Sequence, residues 1–256
     1  MFAATLRPVD DALNSRGSNM FSDIRSPFKP VAALVAGLTL ASPAVAVEPS
    51  TFRVSIESVT MVDTLVLPDG TKATAPISPG LYLVSSESFV LFKPGQRAGT
   101  PLQSLAEDGA PTLLVDALSK TSGAGTASEF LHDQDFTIIA QPGDRLHLAV
   151  MFVQSNDLFY APREGGIVLF DSNNRAISGD RTAELVLWDA GTEINETPGL
   201  GPNQAPRQPK PNTGVDETGT VRLVDDGFQY PNVSEVIRVT ITPMGNDAGL
   251  PVSGLR

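Results

Sequence analysis

Cysteine is absent from this 256-residue chain. That excludes a disulfide framework, zinc–thiolate sites, thiol catalysis and the lipid-bearing cysteine of a bacterial lipoprotein. Histidine is scarce, with two residues, and basic charge is in deficit: 18 Lys and Arg against 29 Asp and Glu, a net charge of −11. Residues 1–46 hold four basic and three acidic residues, so the remainder carries 26 − 14 = 12 excess negative charges. Such a surface repels phosphate backbones and anionic lipid, which argues against nucleic acid as a partner and against unaided binding to an acidic membrane. GxSxG, HExxH, a Walker loop and a GxGxxG opening a helix are all missing as well. A carboxylate-based hydrolase is not refuted by these absences, since any two acids can meet in space. Nothing in the sequence supports one.

Glycine and proline are plentiful, at 22 and 21 residues, and β-branched residues cluster in short runs. This mix favours many short strands joined by turns. Residues 20–46 read as a secretion leader, with 1–46 set apart from the folded domain and Met20 a plausible start. Arg25 and Lys29 precede an apolar run over Val31–Ala41, and Ala44-Val45-Ala46 places small residues where a signal peptidase inspects the chain. The run is shorter than the roughly 20 apolar residues a bilayer-spanning helix needs. An uncleaved anchor is the competing reading. The mature chain is expected to begin near Val47 outside the cytoplasm, periplasmic or extracellular, without a transmembrane segment. Residues 243–256 lack periodicity and read as a loose tail.

Between these ends, period-two alternation predicts strands. Phe52, Val54 and Ile56 oppose Arg53, Ser55 and Glu57 over Thr51–Ser58, and Glu235–Thr242 alternates likewise. Further strands are predicted at Leu81–Ser85, Phe89–Phe92, Asp135–Ala140, Arg145–Val153, Ile167–Phe170, Glu184–Trp188 and Thr220–Leu223. The expectation is an all-β chain, an antiparallel β-sandwich over 47–242. Two short connecting helices, Pro101–Ala106 and Pro111–Lys120, are expected to cap one end of it. Thr197–Gly219, rich in Pro, Gly and Asn, reads as one long loop. The alternative is a linker between domains, but too few strands follow it to build a second one.

Three segments hold groups with chemical potential. His132 beside Asp133 and Asp135 reads as a solvated acidic turn, and His147 as a side chain packed on or beside the core. Asp171-Ser172-Asn173-Asn174 starts like an EF-hand loop, but Ala176 and Thr182 stand where its glycine and bidentate glutamate belong, so a hairpin turn is expected. Asp189-Ala190-Gly191-Thr192-Glu193 follows a strand and sets two carboxylates four residues apart. Extended, they would lie roughly 13 Å apart. A fold-back at Gly191 lets them converge on one cation, which would relieve their repulsion. A solvated turn without metal is the competing reading.

Phe152-Val153-Gln154-Ser155-Asn156-Asp157-Leu158-Phe159 and Leu187-Trp188-Asp189-Ala190-Gly191-Thr192-Glu193 resemble the paired signatures of the spondin amino-terminal domain. Asn195-Glu196-Thr197-Pro198-Gly199, Gly201, Gln204, Phe92-Lys93-Pro94-Gly95 and Leu102–Gly109 extend the resemblance to its bacterial members, across roughly residues 50–242. The resemblance implies a C2-like sandwich with one calcium ion held by Asp157, Asp189 and Glu193. Glu193 departs from the family's aspartate by one methylene. Three carboxylates with carbonyls and waters suit calcium over magnesium. The animal members' cysteines and thrombospondin-type repeats are missing, so integrin and matrix roles are not carried over. The expected function is exported, non-catalytic, calcium-dependent binding in adhesion or envelope association, with an unnamed extracellular or envelope ligand. A purely structural envelope module, using calcium for stability alone, is the first alternative and a carboxylate hydrolase the second.

Overall fold

The computed structural model describes residues 48–86, 88–163 and 165–245. The leader and its cleavage site lie outside these residues, as does the tail beyond Gly245.

In chain order, β1 (Ser50–Ser58) leads through a small hairpin, β2 (Leu65–Val66) and β3 (Lys72–Ala73), to β4 (Ile77–Ser86). Helices α1 (Thr100–Asp108) and α2 (Thr112–Ser119) follow, then β5 (Thr126–Phe130), β6 (Gln134–Ala140), β7 (Asp144–Phe152), β8 (Leu158–Pro162), β9 (Ile167–Val168) and β10 (Gly179–Asp180). After a 3₁₀ turn at Thr182–Glu184 come β11 (Leu185–Asp189), β12 (Arg222–Leu223), α3 (Val233–Val236) and β13 (Ile237–Met244). The strands form a smaller sheet, β10-β13-β1-β6, and a larger one, β12-β11-β8-β7-β4-β5, with β9 on β7. Every pairing is antiparallel.

This is the expected β-sandwich. The alternation in β1 turns Phe52, Val54 and Ile56 inward, where they meet Ile237, Val239 and Ile241 of β13 and Leu146, Leu148, Val150 and Phe152 of β7 in one buried cluster. The larger sheet is covered on both faces. Its opposite face sets Leu81, Leu83, Ala149, Phe159, Ala161 and Trp188 against Leu102, Leu105, Leu114 and Leu118 of the two helices. The helices therefore lie over a sheet face and do not cap one end of the sandwich. Their apolar stripes need a surface as wide as themselves, and the outer side chains of β4, β7 and β8 supply it.

Other details differ from the sequence reading. Phe89–Phe92 forms no strand. β5 already pairs with β4 along that edge, and Phe92 instead turns edge-on against Phe159 and Trp188, ring centroids 5.1 Å from each. β8 was not foreseen because all five of its residues are buried, which erases the period-two signal. The segment read as a strand from Glu235 opens with α3, capped reciprocally by Asn232 and Glu235, and β13 then runs on to Met244. The Asp171 segment is a turn, with Asn174 left-handed at φ 59° and its amide donating to the Asp171 carbonyl. Among the described residues no helix is long and apolar enough to cross a membrane.

Candidate functional site

Asp157 sits at the foot of β8, where the chain leaves β7 through a tight turn. Ser155 shapes that turn: its hydroxyl donates to the Phe152 carbonyl at 2.6 Å and accepts from the Leu158 amide at 3.1 Å. The Asp157 side chain is fully buried. Its Oδ2 accepts from the Thr192 amide (2.7 Å), the Thr192 hydroxyl (3.1 Å) and the Glu193 amide (3.1 Å). Its Oδ1 has no partner. Burial pushes this carboxyl's pKa upward, against the pull of those donors.

The facing loop folds back where the sequence suggested. Gly191 takes a φ of 68°, and a Cβ there would stand 2.6 Å from the Thr220 amide nitrogen. Asp189, at the end of β11, accepts from the Gly191 amide on Oδ1 (2.6 Å) and from Asn195 (2.9 Å) and Arg222 (2.8 Å) on Oδ2. Arg222 lies opposite it on β12 and also reaches Glu217 at 3.0 Å. Burial, then the Asp157 charge, raises Asp189 to about 6, with Arg222 opposing. Glu193 is equally buried. It accepts from the Gly214 amide (2.9 Å) and from Asn156 (3.3 Å), and burial, then the charge of Glu107, raises it to about 7.

Glu107 is the residue the sequence reading missed. It projects from α1, is 2% exposed, leaves Oε1 without a partner, and adds its charge to both Asp157 and Glu193. Burial is also the main cause of its own raised pKa. A signal was present: Glu107 and Asp108 close α1, the end at which the helix dipole disfavours acids.

The fold thus gathers Asp157, Asp189 and Glu193, and Glu107 with them, at one end of the larger sheet. It does not converge the three expected ligands on a single point. Among the described residues no group of three His, Asp or Glu is arranged to hold a metal ion, and Asp189 spends its oxygens on Arg222, Asn195 and Gly191. The unpartnered oxygens of Asp157 and Glu107 nevertheless fit a hard cation, since a buried carboxylate oxygen without a donor is costly. Of the two histidines, His147 is buried and His132 is exposed on Asp133 at 3.1 Å.

No protein-family model matches the chain, and no curated protein matches it. The likeness to the spondin amino-terminal domain rests on the motif residues.

Proposed function

We propose that this chain is an exported, non-catalytic module of the spondin amino-terminal type that takes up one calcium ion and serves in adhesion or envelope association. The observation that carries the reading is the fully buried Asp157 with an unpartnered Oδ1. Asp157, Asp189 and Glu193 are the residues that would hold the ion, with Glu107 as a fourth carboxylate beside them. A bound calcium ion supplies charge neutralisation and oxygen coordination. The loops 153–157 and 190–217 bring the acids together and keep water from them.

The test is thermal unfolding in calcium and in chelator. An ion bound by the folded state alone stabilises by RT ln(1 + [L]/Kd), about 2.7 kcal/mol at a hundredfold excess over Kd. Asp157→Asn and Asp189→Asn should each abolish most of that response, and Glu193→Asp should keep it. Identical melting in calcium and chelator, with no heat of binding at millimolar calcium, sinks the calcium reading. Export is checked separately by the mature amino terminus, expected near Val47. An intact leader on a cytoplasmic product removes that part. Arg222 favours a second reading, the turn without metal: its guanidinium already neutralises Asp189.

A further inference from the structure

Of the four buried acids, Asp189 alone has an ion pair among the described residues. Its Oδ2 accepts from Arg222 at 2.8 Å and from Asn195 at 2.9 Å, which uses both lone pairs of that oxygen. The two partners are unequally placed, since the Asp189 side chain is 1% exposed and that of Arg222 39%. The same Nη2 also donates to Glu217 at 3.0 Å. Gly219 makes room for this arrangement: a Cβ there would stand 2.6 Å from Nη1 of Arg222 and 2.9 Å from Oε1 of Glu217. Glu217 in turn lines a cavity of about 260 Å³ beside Gly191, Thr192 and Asp216. The guanidinium thus stands between a buried acid and one at a cavity wall, and a single nitrogen holds both.

We propose that Arg222 is a built-in competitor for the cation at Asp189, giving up this acid and keeping Glu217 as calcium is taken up. The inference rests on the calcium reading of the site. A metal ion held through Asp189 needs a lone pair of its carboxylate, and a guanidinium within hydrogen-bond distance of the same oxygen repels that ion. Little solvent screens the repulsion at a buried carboxylate. Asn195 and Gly191 are neutral donors and have no such conflict, so Arg222 is the partner that must yield. It can do so readily, because its side chain already meets water and Glu217 retains it after the move. Arg222 therefore sets the calcium concentration at which the site fills, and sets it above the level the acids alone would give.

The experiment is calorimetric titration of the full chain with calcium chloride, wild type beside Arg222→Gln, Arg222→Lys and Arg97→Gln. Arg222→Gln removes the charge but keeps the stem and a donor for Asp189, which protects the fold. It should bind calcium at least about tenfold more tightly, as removal of a charge-assisted hydrogen bond to the ligand requires. Arg222→Lys keeps a cation beside Asp189 and should stay within about threefold of wild type. Arg97→Gln removes an exposed charge from the wall of the same cavity and leaves the Asp189 pair in place, so it too should stay within about threefold. If wild type binds calcium and Arg222→Gln binds it no better, the competition is overturned and the calcium reading stands. A gain in Arg97→Gln as large as that in Arg222→Gln also overturns it, because general charge then explains the effect. No heat of binding in wild type or in any variant removes both readings together.

Discussion

The space between the sheets and the acidic end of the larger sheet bury charge in opposite ways. Between the sheets, β1 and β13 send Arg53, Glu57 and Arg238 outward and keep Phe52, Val54, Ile56 and Val239 inside. At the acidic end, Glu107, Asp157, Asp189 and Glu193 are the buried residues, none more than 2% exposed. An apolar interior holds whatever the pH or ion content of the solvent, because burial of hydrocarbon depends on neither. A carboxylate interior holds only while its charge is answered by a proton, a donor or a cation. The difference separates a scaffold that is insensitive to its surroundings from an end that reads them.

The largest effect should come from breaking the first region. Phe52→Ala removes a fully buried ring that meets Phe170 edge-on at 5.4 Å, and should cost about 3–5 kcal/mol in urea unfolding, equally with and without calcium. Next, Arg222→Met strips the guanidinium from Asp189. A loss of about 2 kcal/mol at pH 8 is expected, below the range for a fully buried pair because the Arg222 side chain is 39% exposed. That loss should shrink below pH 6 as Asp189 takes a proton.

The pH dependence sharpens the contrast further. Asp189 and Glu193 have folded pKa values of about 6 and about 7 against ordinary values of 3.8 and 4.5, so over that interval the folded state binds more protons than the unfolded chain. Stability from these groups is then fully present below about pH 4 and is lost as pH rises through 6 and 7. In chelator the melting temperature should fall by several degrees between pH 5 and 8, and calorimetry showing a flat or rising profile would contradict this. Asp157→Asn, which keeps an acceptor for Thr192 and Glu193 while removing a charge, should flatten that fall and add about 1 kcal/mol at pH 8. Glu235→Gln, in the α3 cap, should change stability by no more than about 0.5 kcal/mol, because glutamine also serves a capping box.

Much of the sandwich was legible because its strands are half-buried. β1, β6 and β13 each alternate, and period two survives wherever one face meets water. Legibility fails where that asymmetry fails. β8 is buried on both faces and reads as an undivided apolar run, and Phe89–Phe92 has the composition of a strand but the β4 edge is already taken by β5. In the candidate site, Asp157, Asp189 and the reversal at Gly191 could be found because they share short motifs. Arg222 could not, and Glu107 showed only as an acid at the unfavourable end of a helix, with nothing local to say what it meets. They reach the cluster from α1 and β12, some fifty and thirty residues from the nearest motif acid, and only the tertiary fold brings such groups together. The ion pair that occupies Asp189 is of the same kind, since no local pattern marks which arginine will cross to it.

Glu193 and Gly214 are sterically coupled. A Cβ at position 214 would stand 1.9 Å from one oxygen of the Glu193 carboxylate, which is itself 1% exposed and has nowhere to withdraw. The long glutamate thus occupies the space of a missing side chain on a loop some twenty residues away, so a side chain at 214 has room only where residue 193 is shorter.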